Sequence, residues 1–83
     1  MTTKDKIEKI LRQQFSPEHL DVIDESHKHA GHAGAQSGGG HFEVIIVSKK
    51  FEGKNLLEKH RMIYAAIKEI KSEIHALAIK ASS

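Results

Sequence analysis

Eighty-three residues, 39% of them apolar and 5% aromatic, limit the chain to a single small domain whose modest core would gain from a partner surface or a bound ligand. Thirteen Lys plus Arg against eleven Asp plus Glu leave a formal charge of +2, which permits nucleic-acid binding without indicating it. The absence of cysteine excludes disulfides, thiolate ligation and a nucleophilic thiol, and the start Met1-Thr-Thr-Lys-Asp-Lys6 has no apolar leader, so the expectation is a cytoplasmic chain without membrane contact.

Ile7, Ile10, Leu11 and Phe15 recur at helical spacing behind Thr2, whose hydroxyl is placed to cap a helix with Asp5 three residues on. The spacing predicts an amphipathic helix over residues 2–15, ended by Ser16-Pro17 because proline disfavours helical geometry in the residue before it. Leu20 to Ser26 alternates between apolar and polar residues, as a strand with one covered face does, and fades at His27 or Lys28. Five of the six glycines lie between Ala30 and Gly40 among Ala, Ser and Gln, which predicts a mobile Gly/His-rich connection over about residues 28–40.

His41 to Ser48 is β-branched and nearly continuous, the pattern of a central strand, and Lys49 to Gly53 turns the chain. Asn55 is placed to cap a second helix in which Leu56, Leu57, His60, Ile63, Tyr64, Ile67 and Ile70 share one stripe expected to pack on the sheet. From Ile74 to Lys80 the chain alternates Ile74, Ala76, Ala78 against His75, Leu77, Ile79, which predicts a third strand. The expected order is αββαβ, an α+β domain spanning residues 1–83, with helices on one face of a three-stranded mixed sheet. The strand-helix-strand crossover makes the second and third strands parallel if they are neighbours.

Histidine is the residue type that invites chemistry. Imidazole is a common ligand for borderline metals, and two separated sources of it stand out among the seven histidines: a loop with His27, His29 and His32, and a strand start at His75. The HxHxxH spacing matches no closed zinc pattern and no thiolate completes one, so by themselves the loop histidines read as solvent-exposed polar residues. His75 alone reads as a partly buried histidine bonded to a neighbour, and His60 as an imidazole at the edge of the helical stripe beside an outward Arg61. Lys49, Lys50, Lys54 and Arg61 could meet phosphates, but with Glu52 and Glu58 interleaved they also make an ordinary solvated face.

Hydrolytic catalysis finds no support. Asp24 and Glu25 are adjacent on a strand and so point to opposite faces, and neither Ser26 nor Ser48 sits in a nucleophile elbow. The string Gly31-His-Ala-Gly34 mimics a GxxG phosphate clamp, but it lies between strands rather than between the two helices that such a clamp joins.

Taken in order, Val22-Ile-Asp-Glu-Ser26, His41-Phe-Glu-Val44, Val47-Ser48 with Phe51-Glu-Gly53, His60-Arg-Met-Ile-Tyr64 and Ile74-His-Ala-Leu77 closely resemble the BolA family, over about residues 20–79. The resemblance implies a type II KH-like αββαβ fold, or αββααβ with a short extra helical turn that residues 71–74 could form. It also implies a non-enzymatic partner of monothiol glutaredoxins that shares a [2Fe-2S] cluster with them. In that arrangement the glutaredoxin gives a cysteine, its bound glutathione gives a second thiolate, and the BolA-like chain gives imidazole.

Carried over by motif, the first ligand is His75 and the second is His29, with His32 as the alternative because the loop is longer than the family pattern. His60 and Arg61 are then expected at the docking surface, and no stable cluster is expected in the isolated chain. The family's second activity, DNA-binding transcriptional regulation, would fall to Lys49, Lys50, Lys54 and Arg61.

Overall fold

A computed structural model of the chain describes residues 2–25 and 40–83. Helix α1 (Thr3–Phe15) opens with the expected capping box: the Thr2 hydroxyl accepts the Asp5 N–H at 3.1 Å and the Asp5 carboxylate accepts the Thr2 N–H. It ends at Ser16, which takes a left-handed conformation (φ 44°) and donates its N–H to the Arg12 carbonyl, before Pro17. Ile7, Leu11 and Phe15 form the buried stripe.

Strand β1 (His19–Asp24) begins one residue earlier and ends two residues sooner than its alternation predicts. Strand β2 (Gly40–Val47) is central, antiparallel to β1 and parallel to β3 (Ile74–Ser82), as the crossover requires. Its inward residues Phe42, Val44 and Ile46 meet Ile7, Leu11, Phe15, Ile63 and Ile67 from the helices in one core. Asp21, Ile23, Glu43, Ile45 and Lys80 belong to the opposite face, where Lys80 lies 3.6 Å from the Glu43 carboxylate. The helices therefore cover one side of a three-stranded mixed sheet.

After β2, Ser48 caps a 3₁₀ turn (Lys49–Phe51) and ties it to α1. Its buried hydroxyl donates to the Phe15 carbonyl at 2.7 Å and accepts the Lys50 N–H. Phe51, 1% exposed, packs its ring 4.9 Å from that of Phe15. The chain turns out of this pair at Gly53, whose φ of 76° suits glycine.

Helix α2 (Leu56–Ala66) starts at an Asn55–Glu58 capping box, as Asn55 suggested. Its apolar stripe departs from expectation: Leu56 is 66% exposed, Leu57 58% and Tyr64 40%, while Ile63 is sealed. Leu56 and Ile63 are seven residues apart, hence on nearly the same side of the helix but about 10 Å apart along its axis. The exposure of Leu56 is thus set by position along the axis: the first turn of α2 extends beyond the surface that its second half covers.

The expected continuation of the stripe through Ile70 is also corrected. The α-helix stops at Ala66 and tightens into a 3₁₀ segment, Lys68–Glu73, in which the Ile70 N–H reaches back three residues to the Ile67 carbonyl. This is the extra helical turn, three residues earlier than expected. Its last residue is pinned to the start of α1, where Lys6 Nζ lies 3.0 Å from both Glu73 oxygens and the Thr3 hydroxyl donates to the same carboxylate at 2.9 Å.

Candidate imidazole site at the start of β3

The strand that follows this anchor does not keep the simple alternation read from sequence. Gly40 pairs with Ile74 but His41 pairs with Ala76, so His75 is an extra residue with no partner position on β2. The inward set is consequently Ile74, Leu77, Ile79 and Ala81, all half-buried, while His75 and Ala76 are both exposed. A bulge lets two consecutive side chains escape the core face, and it is uncommon between parallel strands. The expectation of a partly buried, hydrogen-bonded His75 is overturned by this one-residue shift.

The shift has two further consequences. First, the His75 ring lies beside that of His41, with centroids 5.0 Å apart and planes inclined by 34°. In the residue order His41 only opens the central strand pattern; the parallel register, which puts Gly40 opposite Ile74, brings it to His75. Second, His75 lines a groove with Tyr64, Ile67, Lys71, Ile74, Ala76 and Leu77. The Tyr64 hydroxyl points across to the Leu77 carbonyl over a long 3.5 Å, tying α2 to the strand beside the groove.

The other expected positions separate. His29 and His32 lie outside the described residues. His60 is half-buried, with its Nε2 shielded from solvent and without a hydrogen-bond partner, whereas its neighbour Arg61 is exposed. Lys49, Lys50, Lys54 and Arg61 are all exposed, though Lys50 Nζ is engaged by the Gln14 carbonyl at 2.7 Å.

Among the described residues no three His, Cys, Asp or Glu side chains gather in a metal-holding group. A chain that offers imidazole and no thiolate can fill part of a cluster's ligand set but not all of it, so a cluster fits here only if another molecule supplies the sulfur donors. No helix among the described residues is long and apolar enough to cross a membrane.

Comparison with known proteins places these features. A family model described as BolA-like protein matches residues 11–83. The chain is 49% identical over 80 residues to Protein BOLA2 of Arabidopsis thaliana, covering 96% of this chain and 76% of the relative. It is 42% identical over 80 residues to the DNA-binding transcriptional regulator BolA of Escherichia coli (strain K12), covering 95% and 73%. Among solved structures, the BolA domain of SufE1 from Arabidopsis thaliana superposes with a TM-score of 0.85 at 40% identity, covering 99% of this chain and 92% of that one.

Proposed function

The chain belongs to the BolA-like protein family, and from that premise we propose that it is a non-enzymatic adaptor that docks a monothiol glutaredoxin and supplies imidazole to a [2Fe-2S] cluster held between the two proteins. Its cellular task on this reading is iron-sulfur cluster assembly, cluster trafficking or iron sensing.

The observation that carries the proposal is the placement of His75. A bulge turns it outward at the mouth of a groove, and the carboxylate two residues before it is fixed to α1 by Lys6 and Thr3. A ligand presented to a second protein must be accessible and must not wander, and this combination meets both needs. The second imidazole would come from His29 or His32. With one thiolate from the glutaredoxin and one from its bound glutathione, the set becomes two sulfur and two nitrogen donors. Such a set favours a higher potential than four thiolates and opens the ligation to proton competition.

The exposed side of α2 supplies a docking face. Leu56, Leu57 and Tyr64 are large apolar side chains left in solvent, and Arg61 stands exposed among them with His60 at the edge. Exposed apolar groups with a charged neighbour are what a partner surface would cover.

The proposal is tested by anaerobic reconstitution of the chain with a monothiol glutaredoxin and glutathione, followed by size exclusion with iron and sulfide analysis. A mixed species carrying iron and sulfide is expected, and Arg61→Ala should weaken it. Iron found only with the glutaredoxin alone would reject the reading.

The name of the Escherichia coli relative favours a second reading, DNA-binding regulation through Lys49, Lys50, Lys54 and Arg61. On that reading affinity for duplex DNA falls steeply with salt, and replacing Lys54 lowers the slope of log affinity against log salt by about one unit. A shallow slope unaffected by Lys54→Ala would exclude phosphate contact by this residue.

A further inference from the structure

We propose that His41 and His75 together form a chelating site for a single borderline divalent ion, of the zinc or nickel class, in the chain free of any partner. Nothing in the proposed adaptor role requires His41, and the ion site does not require a glutaredoxin.

The ring separation is the one a two-imidazole chelate needs. An imidazole nitrogen sits about 1.1 Å from its ring centroid and about 2.0–2.1 Å from a bound zinc, so two rings on one tetrahedral ion have centroids about 5 Å apart. The two rings lie 5.0 Å apart before any ion is present. An offset aromatic pair occupies the same range of distances, but such a pair is useful mainly where it buries area, and His75 is exposed.

Both backbones are fixed. His41 lies in the central strand, and its carbonyl accepts the Glu25 N–H at 2.7 Å on one side, while β3 flanks it on the other. His75 is held by the pairing of Ile74 with Gly40 before it and of Ala76 with His41 after it. With Leu77 and Ile79 kept on the core face, strict alternation would turn the side chain at position 75 inward, and the extra residue turns it outward to the face of His41. The ligands arise on two strands whose register cannot slip without exposing Leu77 and Ile79, so little ordering remains to be done on binding.

Among the described residues no group of three or more donors gathers here, so the rest of the coordination shell would be filled by water or by a donor that another molecule brings. Imidazole suits zinc, nickel and copper, whereas calcium and magnesium demand oxygen, so the site discriminates by ligand type. Because His75 is also the proposed cluster ligand, an ion held here would compete with cluster sharing; that consequence alone rests on the adaptor reading.

The test uses the full chain and a variant in which His27, His29 and His32 are all alanine, which removes the loop imidazoles as competing ligands. Zinc binding is followed by calorimetry, with imidazole nitrogen shifts read by NMR. We expect one zinc per chain in both proteins with affinities within about threefold, and a loss of more than about tenfold on losing either ring nitrogen set, by His41→Phe or His75→Ala. His41→Phe keeps a flat ring on the strand, and an unchanged amide spectrum verifies that it folds.

Zinc binding that disappears in the triple-alanine chain, or that persists undiminished in His41→Phe, overturns the proposal. Cluster sharing with a glutaredoxin is measured in parallel on His41→Phe. A shared cluster without zinc binding in the wild-type chain removes the ion site and leaves the adaptor reading standing, and zinc binding without a shared cluster does the reverse.

Discussion

Along β2, Phe42, Val44 and Ile46 are at most 5% exposed, whereas His41, one residue before them, is half-buried and stands beside the exposed His75. One pair of strands thus builds both a sealed interior and an open corner. In the interior, alternation is strict and the inward residues of β2 share one core with α1 and α2. At the corner, one extra residue breaks alternation and two imidazoles face outward together. The contrast teaches that the sealed core and the exposed imidazoles occupy different lengths of the same strands, so changes in one should leave the other intact.

The largest expected effect breaks the interior alone. Phe51 is 1% exposed and packs on Phe15, so Phe51→Ala should lose about 3–5 kcal/mol in urea unfolding, a large part of a total of roughly 5–15 kcal/mol. An unchanged midpoint would mean that the 3₁₀ turn contributes no core.

Next in size is Ser48→Ala, which leaves the Phe15 carbonyl without the hydroxyl that it accepts from and should cost about 1–3 kcal/mol. Measured by the same unfolding, a neutral result would show that water replaces the hydroxyl.

A smaller effect lies where interior and corner join. Hydrogen bonds from Lys6 and then Thr3 hold the Glu73 carboxyl below its ordinary value near 4.5. A lowered folded-state value stabilises the protein above the unfolded value, and that contribution is lost as pH falls through the folded one. The unfolding midpoints of wild type and Glu73→Gln should therefore differ at neutral pH and converge as pH drops below the ordinary carboxylate value. A gap that stays constant would show that the anchor is not electrostatic.

The smallest effect belongs to the corner. His75→Ala removes an exposed side chain without a core contact, and its stability should stay within about 0.5 kcal/mol of wild type. A larger loss would mean that the bulge is held by the imidazole rather than by the strand pairing around it.

Much of the interior could be read from residue order because it rests on local rules. The Thr2–Asp5 and Asn55–Glu58 boxes, the stop at Ser16-Pro17, the central β2 and the parallel crossover each follow from a short motif or a period. The corner depends on register between segments more than thirty residues apart, which no local pattern encodes. Ile74 to Ile79 scans as clean alternation, and only the pairing of Gly40 with Ile74 and His41 with Ala76 reveals that His75 is the extra residue.

The exposure of Leu56 was hidden for a related reason. Periodicity gives the angle of a side chain around a helix but not how far along its axis the covering surface extends. The family motif singles out His75 as a ligand, whereas the residues alone put it on the covered side of the strand, and the structure leaves it exposed.

In the proposed adaptor role, an imidazole of this chain reaches a cluster shared with a glutaredoxin. The direct measurement is pulsed electron paramagnetic resonance on the reduced, reconstituted mixture, with this chain labelled with nitrogen-15 and the glutaredoxin and glutathione unlabelled. The account predicts strong nitrogen-15 hyperfine coupling that is lost or reduced with His75→Ala. A mixed cluster showing no nitrogen-15 ligand, or the same coupling after His75 is removed, would contradict it.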